Sequence, residues 1–270
     1  MDALKATAAR WLESGIASVV VEVADARGSA PRDAGTRMLV GPEELAGTIG
    51  GGHLELKAIE HARQMLTGGD RQPQTVDYPL GPALGQCCGG AVSLSFAPLA
   101  SEHLTAWPDP PPLFHLQLYG AGHVGRAIVQ ALAPLPVVIE WIDEREAEFA
   151  RFAAPIAGAA DIRAVCVDAV EAEVKLAPAG AYYLVLTHEH DLDLRITEAI
   201  LRRGDFGFLG LIGSKTKRQR FFHRFEQRGI DAGAIARITC PIGIPGIAGK
   251  QPEVIAVAVA AQLLQQCGNH

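Results

Sequence analysis

The sequence predicts an α/β protein of two domains, an N-terminal α/β domain followed by a C-terminal parallel-sheet domain, on three observations. First, the apolar run Leu116-Gln117-Leu118-Tyr119 stops at a turn, Gly120-Ala121-Gly122-His123-Val124-Gly125, and a helical pattern follows over 126–132. This is strand, turn and helix with G-x-G-x-x-G spacing. Second, a strand-like run over 137–142 ends at Asp143, close to the spacing of a ribose-binding carboxylate. Third, residues 98–112 contain AWPDPPP. Proline excess makes such a stretch stiff and extended, so it reads as a linker between domains at 1–97 and 113–270.

Each glycine of the turn has a physical task. Gly120 permits the tight turn, Gly122 lets the backbone approach a phosphate, and Gly125 lets the helix pack on the strand. Free N–H groups and the helix dipole would then face the anion. With His123 and Asp143, these glycines are the first cofactor-binding candidates of the second half. The same spacing also suits a glycine-rich turn that holds no nucleotide.

The composition narrows the class. The chain has 270 residues, 49% hydrophobic and 20% charged, enough for two domains with real cores. A net charge of -6 does not favour nucleic acid or an anionic membrane. No apolar run reaches the roughly 20 residues of a membrane span. The N-terminal stretch reads as an amphipathic helix and not as a signal peptide. Five cysteines, an odd number, argue against a disulfide framework and point to a reducing, cytoplasmic setting.

In order, the pattern predicts a helix over 2–14, closed by Gly15, and a strand over 16–24. The next stretch, 27–35, holds Pro31 and two glycines and cannot be regular. Its arginines, Arg27 and Arg32, suit an anion-binding loop or a solvated hairpin connection, and both readings stay open. Strands follow over 36–40 and 45–49. Gly50-Gly51-Gly52 then opens a helix to about Leu66. Exposed N–H groups at Gly51 and Gly52 suit an anion, and a triple glycine also suits a flexible joint. Strands are expected over 75–80 and 91–96. Between them lies Gly85-Gln86-Cys87-Cys88-Gly89-Gly90. Cys87 and Cys88 lack zinc spacing. One of them suits a soft metal or sulfur chemistry, and the other suits a packed turn.

In the second half a strand is expected over 160–167, with Cys166 in the core. A buried strand over 181–186 ends at Thr187-His188-Glu189-His190-Asp191-Leu192-Asp193. Polar groups at such a strand end lie where open parallel sheets bind ligands. His188 and His190 suit metal ligation or acid–base work, while Asp191 and Asp193 suit helix capping. A strand over 206–212 runs into Gly213-Ser214-Lys215, with Lys217, Arg218 and Arg220 beyond. Ser214 suits a cap. Cations at a helix N-terminus oppose its dipole, so this cluster points to a phosphate. Residues 238–249 form a Gly/Pro loop with Cys240, and a final helix starts at Pro252.

Several of these stretches together resemble the xanthine dehydrogenase accessory protein family, XdhC/CoxI. They are GSAPRDAGTRMLV from Gly28, GTIGGGHLE from Gly47, GQCCGG from Gly85, GAGHVG from Gly120, THEHDLD from Thr187, LIGSKTKR from Leu211 and CPIG from Cys240. They run through nearly the whole chain in order, and the GTIGGG and GQCCGG pair is far more specific than G-x-G-x-x-G. The resemblance implies a C-terminal Rossmann-like domain and a role in binding molybdenum cofactor, protecting it and delivering its sulfurated form to a molybdenum hydroxylase. The implied partners are apo xanthine dehydrogenase or a related hydroxylase and a cysteine desulfurase, with a homodimer as an open expectation. On this reading Arg32, Gly51, Gly52, Gly120, Gly122, His123, Gly125, Asp143, His188, Gly213, Ser214 and Lys215 hold the molybdopterin. Cys87 and Cys88 are the metal candidates, one of which meets the metal, and no residue is catalytic. The alternative is an NAD(P)-dependent oxidoreductase, with Gly120, Gly122, Gly125 and Asp143 on the dinucleotide and Asp143 selecting NAD over NADP.

Overall fold

The computed structural model describes residues 3–69, 72–80, 90–107, 111–150 and 158–268. The chain forms two compact units, residues 1–109 and 110–270.

The first unit is a five-stranded antiparallel sheet with helices on both faces. Strands β1 (Val19–Arg27), β2 (Arg37–Val40), β3 (Leu45–Gly47), β4 (Gln74–Pro79) and β5 (Ala91–Pro98) lie in the order β3-β2-β1-β5-β4. Alternation along β1 decides which helix goes where. Val19, Val21 and Val23 turn to Leu54, Ala58, Ala62 and Met65 of α2 (Gly52–Gly68). Val20, with Leu39 of β2, turns the other way to Ala8 and Trp11 of α1 (Ala3–Glu13). The stretch expected as an extended linker folds in part onto this second face. Helix α3 (Ser101–Ala106) forms there, and Trp107 is buried against the Trp11 cluster. Lys5 Nζ donates to the Trp107 carbonyl at 2.9 Å. Leu99, Leu104 and Trp107 supply enough apolar surface to outweigh the extending effect of the prolines that follow.

The second unit is a six-stranded parallel sheet. Its strands are β6 (His115–Tyr119), β7 (Val138–Asp143), β8 (Asp161–Cys166), β9 (Tyr182–Val185), β10 (Phe208–Leu211) and β11 (Ile238–Thr239), in the order β11-β10-β9-β6-β7-β8. Counted within the unit this is the doubly wound order 3-2-1-4-5-6, a Rossmann-type domain, whose direction reverses between β6 and β9. Helices α4 (His123–Leu132) and α9 (Pro252–Cys267) cover one face through Ile128, Leu132, Val259 and Leu263. Helices α6 (His190–Arg203), α7 (Lys215–Gln227) and α8 (Ala232–Ala236) cover the other through Ile196, Ile200, Phe221, Phe225 and Ile235. A short helix, α5 (Glu146–Ala150), follows β7. Cys166, expected in the core, is exposed. It ends the edge strand β8, of which only Ile162 and Val165 pack against the cores.

Candidate functional site

The crevice at the reversal lies between the C-terminal ends of β6 and β9, and its floor is the glycine turn. A Cβ at Gly120 would lie 2.4 Å from the Leu186 carbonyl oxygen, and one at Gly125 only 2.0 Å from the Gly120 oxygen. These two glycines let backbone pack on backbone. Gly122 differs. It is the N-cap of α4, with φ -69° and ψ -171°, and a Cβ there would meet nothing within 4 Å. The helix N-terminus therefore opens onto free space at one point, as a phosphate cradle requires. His123, the first residue of α4, is exposed beside it.

Asp143 ends β7 as expected, but its carboxylate is already engaged. One oxygen accepts the Ala121 N–H at 2.7 Å and Arg145 Nη2 at 2.8 Å. The other accepts the Arg145 N–H and Nε, each at 2.9 Å. Burial alone would raise this carboxyl. The hydrogen bonds from Arg145 and Ala121 outweigh burial and hold it below its ordinary value. Asp143 thus pins the glycine turn to β7, with Arg145 against it. The expected ribose contact, and the NAD selectivity built on it, lose their free acceptor.

The loop after β9 forms the opposite side. His188 is exposed, with Nε2 3.6 Å from Glu144 Oε1 of the loop after β7. His190 is the exposed first residue of α6. No group of three or more potential metal-ligating side chains occurs among the described residues. Neither acid caps α6 as expected, since the N-cap is Glu189. Asp191 is exposed and 3.4 Å from Arg224. Asp193 is 1% exposed, and one oxygen receives the Thr187 N–H at 2.9 Å and the Thr187 hydroxyl at 2.7 Å. Its other oxygen receives Lys217 Nζ at 2.5 Å, and Nζ also donates to the Ile212 carbonyl at 2.8 Å. Lys217, expected to face a phosphate, is instead the buried partner that ties the loops after β9 and β10 together.

The basic start of α7 therefore does not converge on one anion. Ser214 caps the helix, accepting the Lys217 N–H at 3.2 Å. A Cβ at Gly213 would press 2.5 Å from Lys217 Cδ, so this glycine makes room for the lysine stem. Lys215 and Arg218 line a separate cavity with Phe222 and Cys240.

In the first unit the structure brings Arg32 and the triple glycine together. A Cβ at Gly50 would lie 2.6 Å from Pro31 Cβ and 3.4 Å from Arg32 Cγ. Gly51 is the N-cap of α2 with φ 73°, and its Cβ position is open. Of the N–H groups expected to be free, that of Gly51 is engaged. Glu55 Oε2 accepts the N–H of Ile49 at 3.0 Å and of Gly51 at 3.1 Å, together with the Thr48 hydroxyl. The chain's own carboxylate occupies the place of an anion. Arg32, Gly51 and Gly52 belong to this cluster of the first unit, while Gly120, Gly122, Gly125, Asp143 and His188 belong to the second unit. Cys87 and Cys88 lie outside the described residues.

Sequence reasoning missed Glu55, Arg145 and the Asp193–Lys217 pair as structural partners. Glu55 carried a usable signal, an acid in the first turn after a glycine N-cap. Asp193 and Lys217 carried none, being 24 residues apart on different helices.

Residues 116–263, more than half of the chain, match the family described as the XdhC Rossmann domain, and residues 11–79 match the XdhC and CoxI family. The chain belongs to the XdhC and CoxI family. Similar proteins to this XdhC-type chain include the uncharacterized protein YqeB of Escherichia coli (strain K12), 30% identical over 97% of this chain. The chain spans 46% of the length of YqeB. A crystal structure described as a xanthine dehydrogenase from Bacillus halodurans shares the fold, with a TM-score of 0.74 at 19% identity over 98% of this chain and 96% of its own. The family expected from the motifs is the one found. No helix among the described residues is long and apolar enough to cross a membrane.

Proposed function

We propose that this chain is a non-enzymatic carrier for molybdenum cofactor, which it shelters and passes, in sulfurated form, to xanthine dehydrogenase or a related molybdenum hydroxylase. Family membership suggests a role in xanthine dehydrogenase maturation. The observation that carries the reading is the open space at Gly122, on the N-terminus of α4 at the sheet reversal. The cargo has a pterin, a phosphate and a dithiolene-bound metal, and the metal's redox and sulfur chemistry is the cargo's own. Gly122 and the first N–H groups of α4 fit its phosphate. His188, at the loop after β9, supplies an imidazole suited to hydrogen-bond a polar ring edge. Cys87 or Cys88 is the soft ligand suited to the metal. The engaged carboxylate of Asp143 favours such a cargo over a dinucleotide that needs a ribose acceptor. The partners are the apo-hydroxylase and a cysteine desulfurase, and the setting is the cytoplasm.

The test is purification from molybdenum-replete cells, followed by metal analysis and fluorescence of the oxidised pterin. Metal and pterin should copurify in equal amounts. Of Cys87→Ala and Cys88→Ala, one should abolish loading in a folded protein. Protein that carries neither metal nor pterin, but binds NAD or NADP tightly, would sink the proposal.

A further inference from the structure

The second unit has another built cavity, at the far edge of its sheet from the glycine turn. It lies between α7 and the turn after β11, with a volume of about 420 Å³. That size suits a small organic ligand. Lys215 and Arg218 stand at one end, where the N-terminus of α7 already carries positive potential. Two cations placed there repel the dipole, and neither has a carboxylate partner among the described residues. Lys217, by contrast, has turned inward to Asp193. Arg218 is held in place, its guanidinium carbon 4.8 Å from the centre of the Phe222 ring. A guanidinium stacked on one ring offers its outer face to a second planar group. Glu226, about three turns along the same helix face, supplies an acceptor for N–H donors at the other end. The wall opposite α7 includes Cys240, only 6% exposed, with no hydrogen-bond partner among the described residues. Burial pushes its thiol up, against a smaller lowering by Lys217 and Arg218. The thiol is therefore a slow nucleophile, which reacts through the small thiolate fraction it forms.

We infer that this cavity binds a planar organic phosphate of mononucleotide size, its phosphate on Lys215 and Arg218 and its ring stacked on the Arg218–Phe222 pair. The site is distinct from the crevice at Gly122, and the inference does not rest on the carrier reading. Cys240 provides a built-in reporter, because a ligand in the cavity covers it.

The probe is AMP. Alkylation of each cysteine by iodoacetamide is followed by peptide mass spectrometry on the full chain. AMP at about ten times its dissociation constant should slow labelling of Cys240 about tenfold, with exposed Cys166 as the unchanged control. The double variant Lys215→Gln/Arg218→Gln should lose this protection, because both side chains are solvent-facing and the fold does not depend on them. Gly122→Val should keep it while losing the cargo, so failure of one site is distinguishable from failure of the other. Unchanged Cys240 labelling with AMP, or equal protection in the double variant, overturns the site. Protection by inorganic phosphate as strong as by AMP overturns the requirement for a ring.

Discussion

Replacing Lys217 by methionine tests how the loops at the sheet end are held. The substitution keeps the length of the side chain and removes its charge. It leaves the Asp193 carboxylate, 1% exposed, without its cation, and the Ile212 carbonyl without its donor. Breaking a buried pair in this way costs about 3–5 kcal/mol. The second unit spans residues 110–270. For a unit of that size each kcal/mol moves the melting temperature by roughly 2–4 °C. The expected loss is therefore about 6–20 °C. Calorimetry measures it, and hydrogen-exchange mass spectrometry assigns it to the second unit, with peptides of the first unit as internal control. The double variant Asp193→Asn/Lys217→Met should recover much of the loss. Its amide removes the buried charge and still offers Thr187 an acceptor at the position of Oδ1. A Lys217→Met protein within about 1 kcal/mol of the parent, or a double variant no better than the single, would refute the argument that this pair closes the sheet end.

Three further outcomes are expected. Gly125→Ala should cost about 1–3 kcal/mol or more in thermal unfolding, because its Cβ meets backbone oxygen at 2.0 Å, whereas Gly122→Val should fold normally and lose cargo; equal effects on stability would show that the two glycines do not divide the work. Glu55→Ala should cost about 1–2 kcal/mol by orphaning the Ile49 and Gly51 N–H groups, and Glu55→Gln should restore part of it, both read from urea midpoints. Asp143 has a folded pKa below its ordinary 3.8, so its stabilisation is complete above that pH and is lost as pH falls through the lowered folded value. The stability gap between the parent and Asp143→Asn should therefore be widest above pH 3.8 and narrow in stronger acid; a gap that grows on acidification would reverse the sign assigned to this group.

Much of the fold was legible because local chemistry dictates it. The period-two valines of β1, the strand–turn–helix at Gly120 and the Ser214 cap follow from side-chain alternation, glycine sterics and an orphan N–H. Motif order along the chain also sufficed for the family. What only the tertiary structure decided is where polar groups end. Asp143 has the right spacing for a ribose, yet Arg145 and the Ala121 N–H reach it first. Four basic residues at the start of α7 look alike in sequence. The helix sends Lys217 inward to Asp193 and turns Lys215 and Arg218 to another cavity. The triple glycine promised free N–H groups, yet Glu55 curls back to accept that of Gly51, and the Thr48 hydroxyl accepts that of Gly50. A one-dimensional pattern records which groups can donate and accept. Which pairs form depends on distances across strands and helices far apart in sequence, because a buried charge takes whichever partner the packing brings within reach.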